Sequence, residues 1–199
     1  YIRKDIIVTQ ATIWFDMDGV LSKYDHSDYT DPNPNYKKPH YFARRPVNTT
    51  MKRLFIKLAE AEHTYLDRLG IISKVQPEIS KFIEEASDKK SWVQKHIFSY
   101  IKNPYNVPYP PLFTGQNESK AKKVMSHLGR PLTQYDILID DYNSNLEDWV
   151  AHGGTAIKYG LGDKESWKSY SFTDQTTINE MFRFLHIITE FWYNNSRKK

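Results

Sequence analysis

Two pairs of aspartates each follow a short apolar run, and they are the residues best suited to chemistry. Asp16 and Asp18 follow the apolar run 12–15, and Asp140 and Asp141 follow a second run. Residues i and i+2 of a strand project to the same side, so these carboxylates would repel one another unless a cation compensates. Oxygen ligands favour a hard ion such as Mg²⁺ over Zn²⁺. The cluster therefore predicts a divalent metal site.

Phosphoryl transfer at such a site also needs hydroxyl or cationic groups that hold the phosphate oxygens. Ser73 ends its own apolar run and can donate a hydroxyl, and Lys120 can supply a charge near the start of a helix. Taken singly, each is an ordinary turn or surface residue, and only their order along the chain gives them weight. Lys122 and Lys123 compete for the same role within one helical turn. Lys120 is preferred because it stands at the helix start, after residues 117–119.

Alternating strands and helices must position these groups. The sequence first predicts a strand over 12–15, a helix from Thr49 that Gly70 stops, and a strand over 71–73. Two helical stretches after Pro77 and a helix over 119–128 come next, and the later elements are a strand over 137–139, a short helix at 146–150, a strand over 155–159 and a covering helix at about 176–193. The pattern predicts the α/β class: a three-layer, Rossmann-like parallel sheet with helices on both faces, whose strand ends form the site.

A proline-rich segment at about 24–46 interrupts this alternation and predicts a short cap insertion after the first strand. On it, Tyr41, Phe42 and Arg45 are candidates for substrate binding, because aromatic rings can stack and an arginine can neutralise phosphate. An equally simple interpretation is that the aromatic residues anchor the insertion on the core.

Composition limits the alternatives. The 199 residues are expected to form one catalytic domain over 1–199, and 39% hydrophobic with 26% charged residues is typical of globular proteins. No apolar run approaches the ~20 residues of a membrane-spanning helix, and charges near the start argue against a signal peptide, so a cytoplasmic enzyme is expected. The net charge of +4 is scattered, which favours small anions over nucleic acid. With no cysteine, disulfides and thiol chemistry are excluded.

Four ordered segments resemble the motifs of the haloacid dehalogenase (HAD) superfamily, which are a strand-borne Asp-x-Asp-Gly, a Ser or Thr, a Lys and an acidic pair. The surroundings of the first and last are closest to those of the 5′(3′)-deoxyribonucleotidase group, and the resemblance extends from Thr12 to about Lys158. The matching segments are Phe15-Asp16-Met17-Asp18-Gly19-Val20-Leu21, Ile71-Ile72-Ser73, Ser119-Lys120 and Leu138-Ile139-Asp140-Asp141.

The resemblance implies a Mg²⁺-dependent phosphomonoester hydrolase that forms a phosphoaspartate, with a nucleoside monophosphate as substrate. Asp16 would attack phosphorus, and Asp18 would protonate the leaving oxygen and then activate water. Ser73 and Lys120 would hold the phosphate. The implied metal ligands are Asp16, the backbone carbonyl of Asp18, and Asp140. Asp141 would either bind the metal directly or contact one of its ligands.

Two departures from the nucleotidase pattern leave the substrate open. Lys74 follows Ser73 where these enzymes have a second hydroxyl residue, and it could bind phosphate or point into the neighbouring helix. The insertion is also shorter than the nucleotidase cap, which puts nucleobase recognition in doubt. The alternatives are a HAD phosphatase for another small phosphorylated metabolite and a catalytically silent scaffold that binds nucleic acid. A glycosyltransferase that uses Asp-x-Asp would leave Ser73, Lys120 and the second acidic pair unexplained.

Overall fold

The structure is a computed structural model, and it describes residues 10–24, 38–62, 66–160, 167 and 169–196. Six strands and five α-helices follow one another in these ranges. The strands are β1 (Ala11–Asp16), β2 (Leu66–Val75), β3 (Leu112–Gly115), β4 (Asp136–Asp140), β5 (Thr155–Tyr159) and β6 (Tyr170–Phe172). The helices are α1 (Thr49–Glu60), α2 (Ile79–His96), α3 (Lys120–Leu128), α4 (Asn143–Ala151) and α5 (Ile178–Ser196).

All six strands lie in one parallel sheet, in the order β3-β2-β1-β4-β5-β6. From β1 the chain builds the sheet outward through β2 and β3, then returns to the other side of β1 with β4. The strand order therefore reverses between β1 and β4, which is where open α/β sheets bind their ligands. Phe15 pairs with Ile139 in the register of these strands, directly before Asp16 and Asp140.

The two faces of the sheet carry separate apolar cores. On one face, Ile13, Phe15 and their neighbours pack against α1, α5 and the second half of α2. On the other, Trp14, Ile72 and Leu138 pack against α3 and α4. Alternate residues of each strand supply the two cores, as the side-chain period of two requires. The expected three-layer α/β fold is thus confirmed.

Several expected element boundaries were wrong. Gly70 does not end a helix but lies inside β2, where a Cβ would stand 2.2 Å from Cε3 of the Trp14 ring. Asn48, not a threonine, caps α1 by accepting the Met51 N–H. The two stretches after Pro77 form the single helix α2. The short strands β3 and β6 had no counterpart in the sequence prediction.

Most of the expected insertion at 24–46 lies outside the described residues, since the structure describes only its ends, at 24 and 38–46. Within them, Phe42–Arg44 forms one turn of 3₁₀ helix against α2. The single-domain organisation over 1–199 stays a prediction. Among the described helices, none combines the length and the apolar character needed to cross a membrane.

Candidate active site

Asp16, Asp140 and Lys120 meet at the carboxyl ends of β1 and β4. The Lys120 amino group lies 2.7 Å from Oδ1 of Asp16 and 2.7 Å from Oδ2 of Asp140, and all three side chains are buried. Ser119 caps α3 by accepting the Lys122 N–H, which orients the first turn of the helix so that Lys120 points at the sheet edge. Asn145 and the Tyr142 N–H donate hydrogen bonds to Asp140 and hold it in place.

Asp141 joins this cluster from the turn after β4. A Cβ on Gly19, whose φ is +83°, would lie 2.1 Å from Oδ2 of Asp141, so only glycine lets the two turns approach this closely. Burial raises the pKa of Asp141 to about 8, and the charges of Asp16 and Asp140 add to the effect. Burial likewise raises the pKa of Asp16 to about 7; Lys120 opposes the shift, whereas Asp140 and Asp18 reinforce it.

The three carboxylates fit a divalent cation. One oxygen each from Asp16, Asp140 and Asp141 can be chosen so that all lie within 4.8 Å of one another. These are hard oxygen donors, which is the ligand set of Mg²⁺, and one lysine does not balance three carboxylates. Burial is the main cause of the raised pKa values of Asp16 and Asp141 and the neighbouring carboxylates add to it, so a bound cation would favour the ionised forms.

The raised pKa values of Asp16 and Asp141 predict how metal-free stability varies with pH. The folded-state pKa values of Asp16 and Asp141 lie above the ordinary 3.8, so the folded protein binds more protons than the unfolded chain from about pH 4 to 8. The stability that comes from protonating these two carboxyl groups is complete below that range and is lost as the pH rises through 7 and 8. We expect the melting temperature in EDTA to fall between about pH 5 and 8.5.

Melting curves with and without Mg²⁺ test this expectation. The cation favours the ionised carboxylates, so it should raise the melting temperature more at the higher pH. Asp141→Asn removes one titrating group and should flatten the slope in EDTA, which makes it the matched control. A melting temperature in EDTA that rises steadily from pH 5 to 8.5 would contradict the assignment.

Asp18 occupies a different electrostatic environment from Asp16. Nη1 of Arg45 lies 2.5 Å from Oδ1 of Asp18, the Lys89 amino group lies 2.5 Å from Oδ2, and the Ser73 hydroxyl donates to Oδ2 at 3.0 Å. Burial alone would raise the pKa of Asp18, but Lys89 and Arg45 outweigh it and lower the pKa to about 2. The two neighbouring carboxylates therefore differ: Asp16 shares the single cation Lys120 with Asp140, whereas Asp18 is paired with two cations.

Lys89 is the residue that sequence reasoning missed. It is 1% exposed, and its amino group also contacts the Ser73 hydroxyl at 3.0 Å and the Lys74 carbonyl. Asp88, Lys89, Trp92 and Val93 form the buried face of α2. A lysine four residues before Val93 lies on that face in a continuous helix. The sequence prediction divided 79–96 into two helical stretches. The helical periodicity that places Lys89 on the same face as Val93 was therefore not followed across the whole helix.

The described end of the insertion packs around these cations. The Arg45 guanidinium lies over the rings of Tyr24 and Tyr41, 4.4 and 5.5 Å from their centroids, and Lys89 lies 4.3 Å from the centroid of Phe42. Nε and Nη2 of Arg45 donate to the Lys23 carbonyl. Arg45 thus contacts Asp18 directly, whereas Tyr41 and Phe42 contact the two cations beside it. The roles of these three residues in substrate binding stay predictions.

His40 fastens the same segment to α2, since its Nδ1 lies 3.0 Å from Oδ1 of Asp88. The insertion and the helix that carries Lys89 are therefore tied together beside the site. This contact helps to hold the described end of the insertion against α2.

The competing lysines of α3 are separated by the structure. Lys122 and Lys123 are exposed, whereas Lys120 lies among the carboxylates. Lys74 follows Ser73 on β2 and so faces the α3 side of the sheet; burial and the charge of Lys120 lower its pKa. Lys74 is close enough to the cluster to feel its field, and its role in phosphate binding stays a prediction.

Comparison with known proteins gives limited similarity. No protein-family model and no curated protein matches the chain. Among solved structures, a HAD-superfamily hydrolase of Ehrlichia chaffeensis is similar at 14% identity and a TM-score of 0.49, covering 89% of this chain and 97% of that one. The UTR4 protein of Saccharomyces cerevisiae is similar at 13% identity and a TM-score of 0.42, covering 82% of this chain and 97% of that one.

Proposed function

We propose that this chain is a HAD-type, Mg²⁺-dependent phosphomonoester hydrolase that acts through a phosphoaspartate on Asp16. The observation that supports it is the meeting of four sequence segments at one sheet edge. Asp16 and Asp18, Ser73, Lys120 and the pair at 140–141 lie far apart along the chain and adjoin one another in space. Gathering four carboxylates costs electrostatic repulsion, which favours a catalytic site over a silent nucleic-acid-binding scaffold.

The proposed reaction has two halves. In the first, an Asp16 carboxylate oxygen attacks phosphorus, the bond to the leaving oxygen breaks, and Asp18 supplies the proton that this oxygen takes up. In the second, water attacks the phosphorus of the phosphoaspartate and gives a proton to Asp18. The bond between phosphorus and the Asp16 oxygen breaks, which releases inorganic phosphate and regenerates Asp16. A Mg²⁺ ion held by Asp16, Asp140 and Asp141 would supply positive charge for the phosphoryl oxygens.

The contacts of the other groups suit these roles. Lys120 touches Asp16 directly, so its charge is available to a phosphoryl group on that residue. The Ser73 hydroxyl lies beside Asp18 and can turn to a phosphoryl oxygen. Lys89 and Arg45 lower the pKa of Asp18, so it is ionised and suited to accept a proton from water in the second half of the reaction. In the first half, a proton on Asp18 requires weaker contacts with Arg45 and Lys89.

The proposed substrate class is a small phosphorylated metabolite, with a nucleoside monophosphate as the case expected from the resemblance. The rings of Tyr24, Tyr41 and Phe42 stand beside the site, although each already lies under a cation. A cytoplasmic location likewise stays a prediction.

Metal dependence tests the proposed function. We expect p-nitrophenyl phosphate to be hydrolysed with Mg²⁺ and not with EDTA, because three of the carboxylates need a compensating cation. Ca²⁺ should bind but support little turnover, since its looser coordination misplaces the nucleophile. Asp67 is an exposed carboxylate on β2, so Asp67→Asn is a matched control that should keep both activity and metal dependence. Full activity in EDTA would contradict the metal-centred mechanism.

A further inference from the structure

A second group of potential metal ligands lies where the described end of the insertion meets α2. One donor atom each from His40, Glu84 and Asp88 can be chosen so that all three lie within 4.8 Å of one another. Glu84 and Asp88 are one helical turn apart on α2 and therefore share a face of the helix, and His40 comes from the insertion. None of the three belongs to the carboxylate cluster at the ends of β1 and β4.

The contact between His40 and Asp88 has the spacing of two ligands on one ion. Nδ1 of His40 lies 3.0 Å from Oδ1 of Asp88. Bonds of about 2.0–2.2 Å from a metal to nitrogen and oxygen place neighbouring ligand atoms about 3–3.5 Å apart. Glu84 is exposed, so its long side chain can turn toward the pair and supply a third donor without any change in the helix. The same spacing also suits a simple ion pair, and the surrounding charges distinguish the two.

The two acids of this group have little else to balance them. Asp88 is 8% exposed, and with the described residues its carboxylate forms no hydrogen bond or ion pair except the one with His40. Glu84 forms none with the described part of the chain. Arg44 is close enough to affect His40, but its Nη2 donates to the Pro39 carbonyl. A nearly buried carboxylate and a second one beside it thus share a single imidazole, which leaves room for a cation.

We infer that His40, Glu84 and Asp88 form a second metal site, which takes a divalent ion such as Zn²⁺ and fastens the insertion to α2. One imidazole nitrogen with two carboxylate oxygens is a donor set that suits Zn²⁺, whereas Mg²⁺ prefers oxygen ligands alone. When the ion binds, Nδ1 of His40 loses its proton to solvent, and its lone pair forms the bond to the metal. A water molecule completes the coordination.

The site joins the two segments that supply the cations of Asp18. Lys89 follows Asp88 on α2, Arg45 lies on the insertion, and both contact the Asp18 carboxylate. An ion bound at His40 therefore holds these two segments together beside the reaction centre. Binding at this site does not depend on the proposed function, because it involves neither the carboxylate cluster nor a phosphate ester.

Calorimetric titration of the full-length protein with Zn²⁺ tests the second site, in an Asp141→Asn background that weakens binding at the carboxylate cluster. We expect His40→Ala and Glu84→Gln each to weaken one site by at least about 10-fold, since even a group that only supports a ligand is worth about 10- to 100-fold in metal affinity. His186→Ala is the matched control. His186 also lies near one carboxylate, Glu190 at 3.8 Å, but belongs to no group of three donors among the described residues. This control should bind Zn²⁺ as the background does.

The affinity of the second site should also depend on pH. The hydrogen bond with Asp88 and its charge raise the pKa of the His40 imidazole, and Glu84 adds to this, whereas desolvation and the charge of Arg44 oppose it. Zn²⁺ competes with the imidazole proton. The site that His40→Ala removes should therefore bind more tightly at about pH 8 than at about pH 6.

Two results would overturn the second metal site. One is Zn²⁺ binding by His40→Ala and Glu84→Gln that equals binding by the background, which would leave His40 and Asp88 as an ion pair alone. The other is an equal loss in His40→Ala and His186→Ala, which would show that Zn²⁺ binds exposed histidines without a built site. All three substituted side chains are at least partly exposed, and far-ultraviolet circular dichroism verifies the fold of each variant. The proposed function is tested separately, by hydrolysis of p-nitrophenyl phosphate with Mg²⁺ and no Zn²⁺.

Discussion

Asp16→Asn should reduce turnover by about 10⁴-fold or more, because it removes the nucleophile of the proposed mechanism. No phosphoenzyme should form, even from an aryl phosphate whose leaving group needs little protonation. The substitution also removes one of the buried carboxylates that repel each other. The melting temperature in EDTA should therefore hold or rise, so the loss of activity would not be a loss of the fold.

Asp18→Asn supplies the contrast. It removes the group proposed as the proton donor and later as the base. An activated aryl group can still depart, so phosphoenzyme should accumulate in a burst with little steady turnover. This variant should also be less stable, because Arg45 and Lys89 lose their buried counterion. Intact-mass spectrometry after acid quenching separates the two variants. A phosphate adduct on Asp16→Asn, or undiminished turnover by it, would rule out Asp16 as the nucleophile.

Lys120→Met should have the second large effect, on both activity and stability. The lysine contacts two buried carboxylates, and its loss leaves both without a cation, at a cost of about 3–5 kcal/mol in the free energy of unfolding without metal. Mg²⁺ should recover part of this loss. Turnover should fall by about 10³-fold even in saturating Mg²⁺, because the transferred phosphoryl group loses a fixed charge.

Urea denaturation and steady-state kinetics measure these two effects. Lys122→Met and Lys123→Met are matched controls on the same helix, since both lysines are exposed and should change stability by only about 0.5 kcal/mol. If either control lost turnover while Lys120→Met kept it, the lysine role would belong to that exposed residue.

Local sequence was sufficient for the main elements and for the meeting of the carboxylates at the ends of β1 and β4. Apolar runs that stop at Asp16 and Asp140 indicated buried strands, and parallel strands bring their carboxyl ends to one edge. The helix expected over 119–128 corresponds to α3, which Ser119 caps and a left-handed Gly129 ends, and both of these are local features. The meeting of Asp16, Asp140 and Lys120 thus followed from order along the chain and the rules of the parallel sheet.

Only the tertiary structure decided the surroundings of Asp18. Gly70 resembles a helix stop in sequence, but it is a strand residue because the Trp14 ring covers it. Lys89 lies in a stretch of mixed polar and apolar residues, so its sequence neighbours do not mark it as buried. Its burial depends on how α2 packs against β2. Arg45 reaches Asp18 because the chain from Val47 pairs back onto Ser22, a contact between distant residues. Composition and spacing carry no information on such long-range packing. Only the folded structure therefore shows which cations determine the protonation state of Asp18.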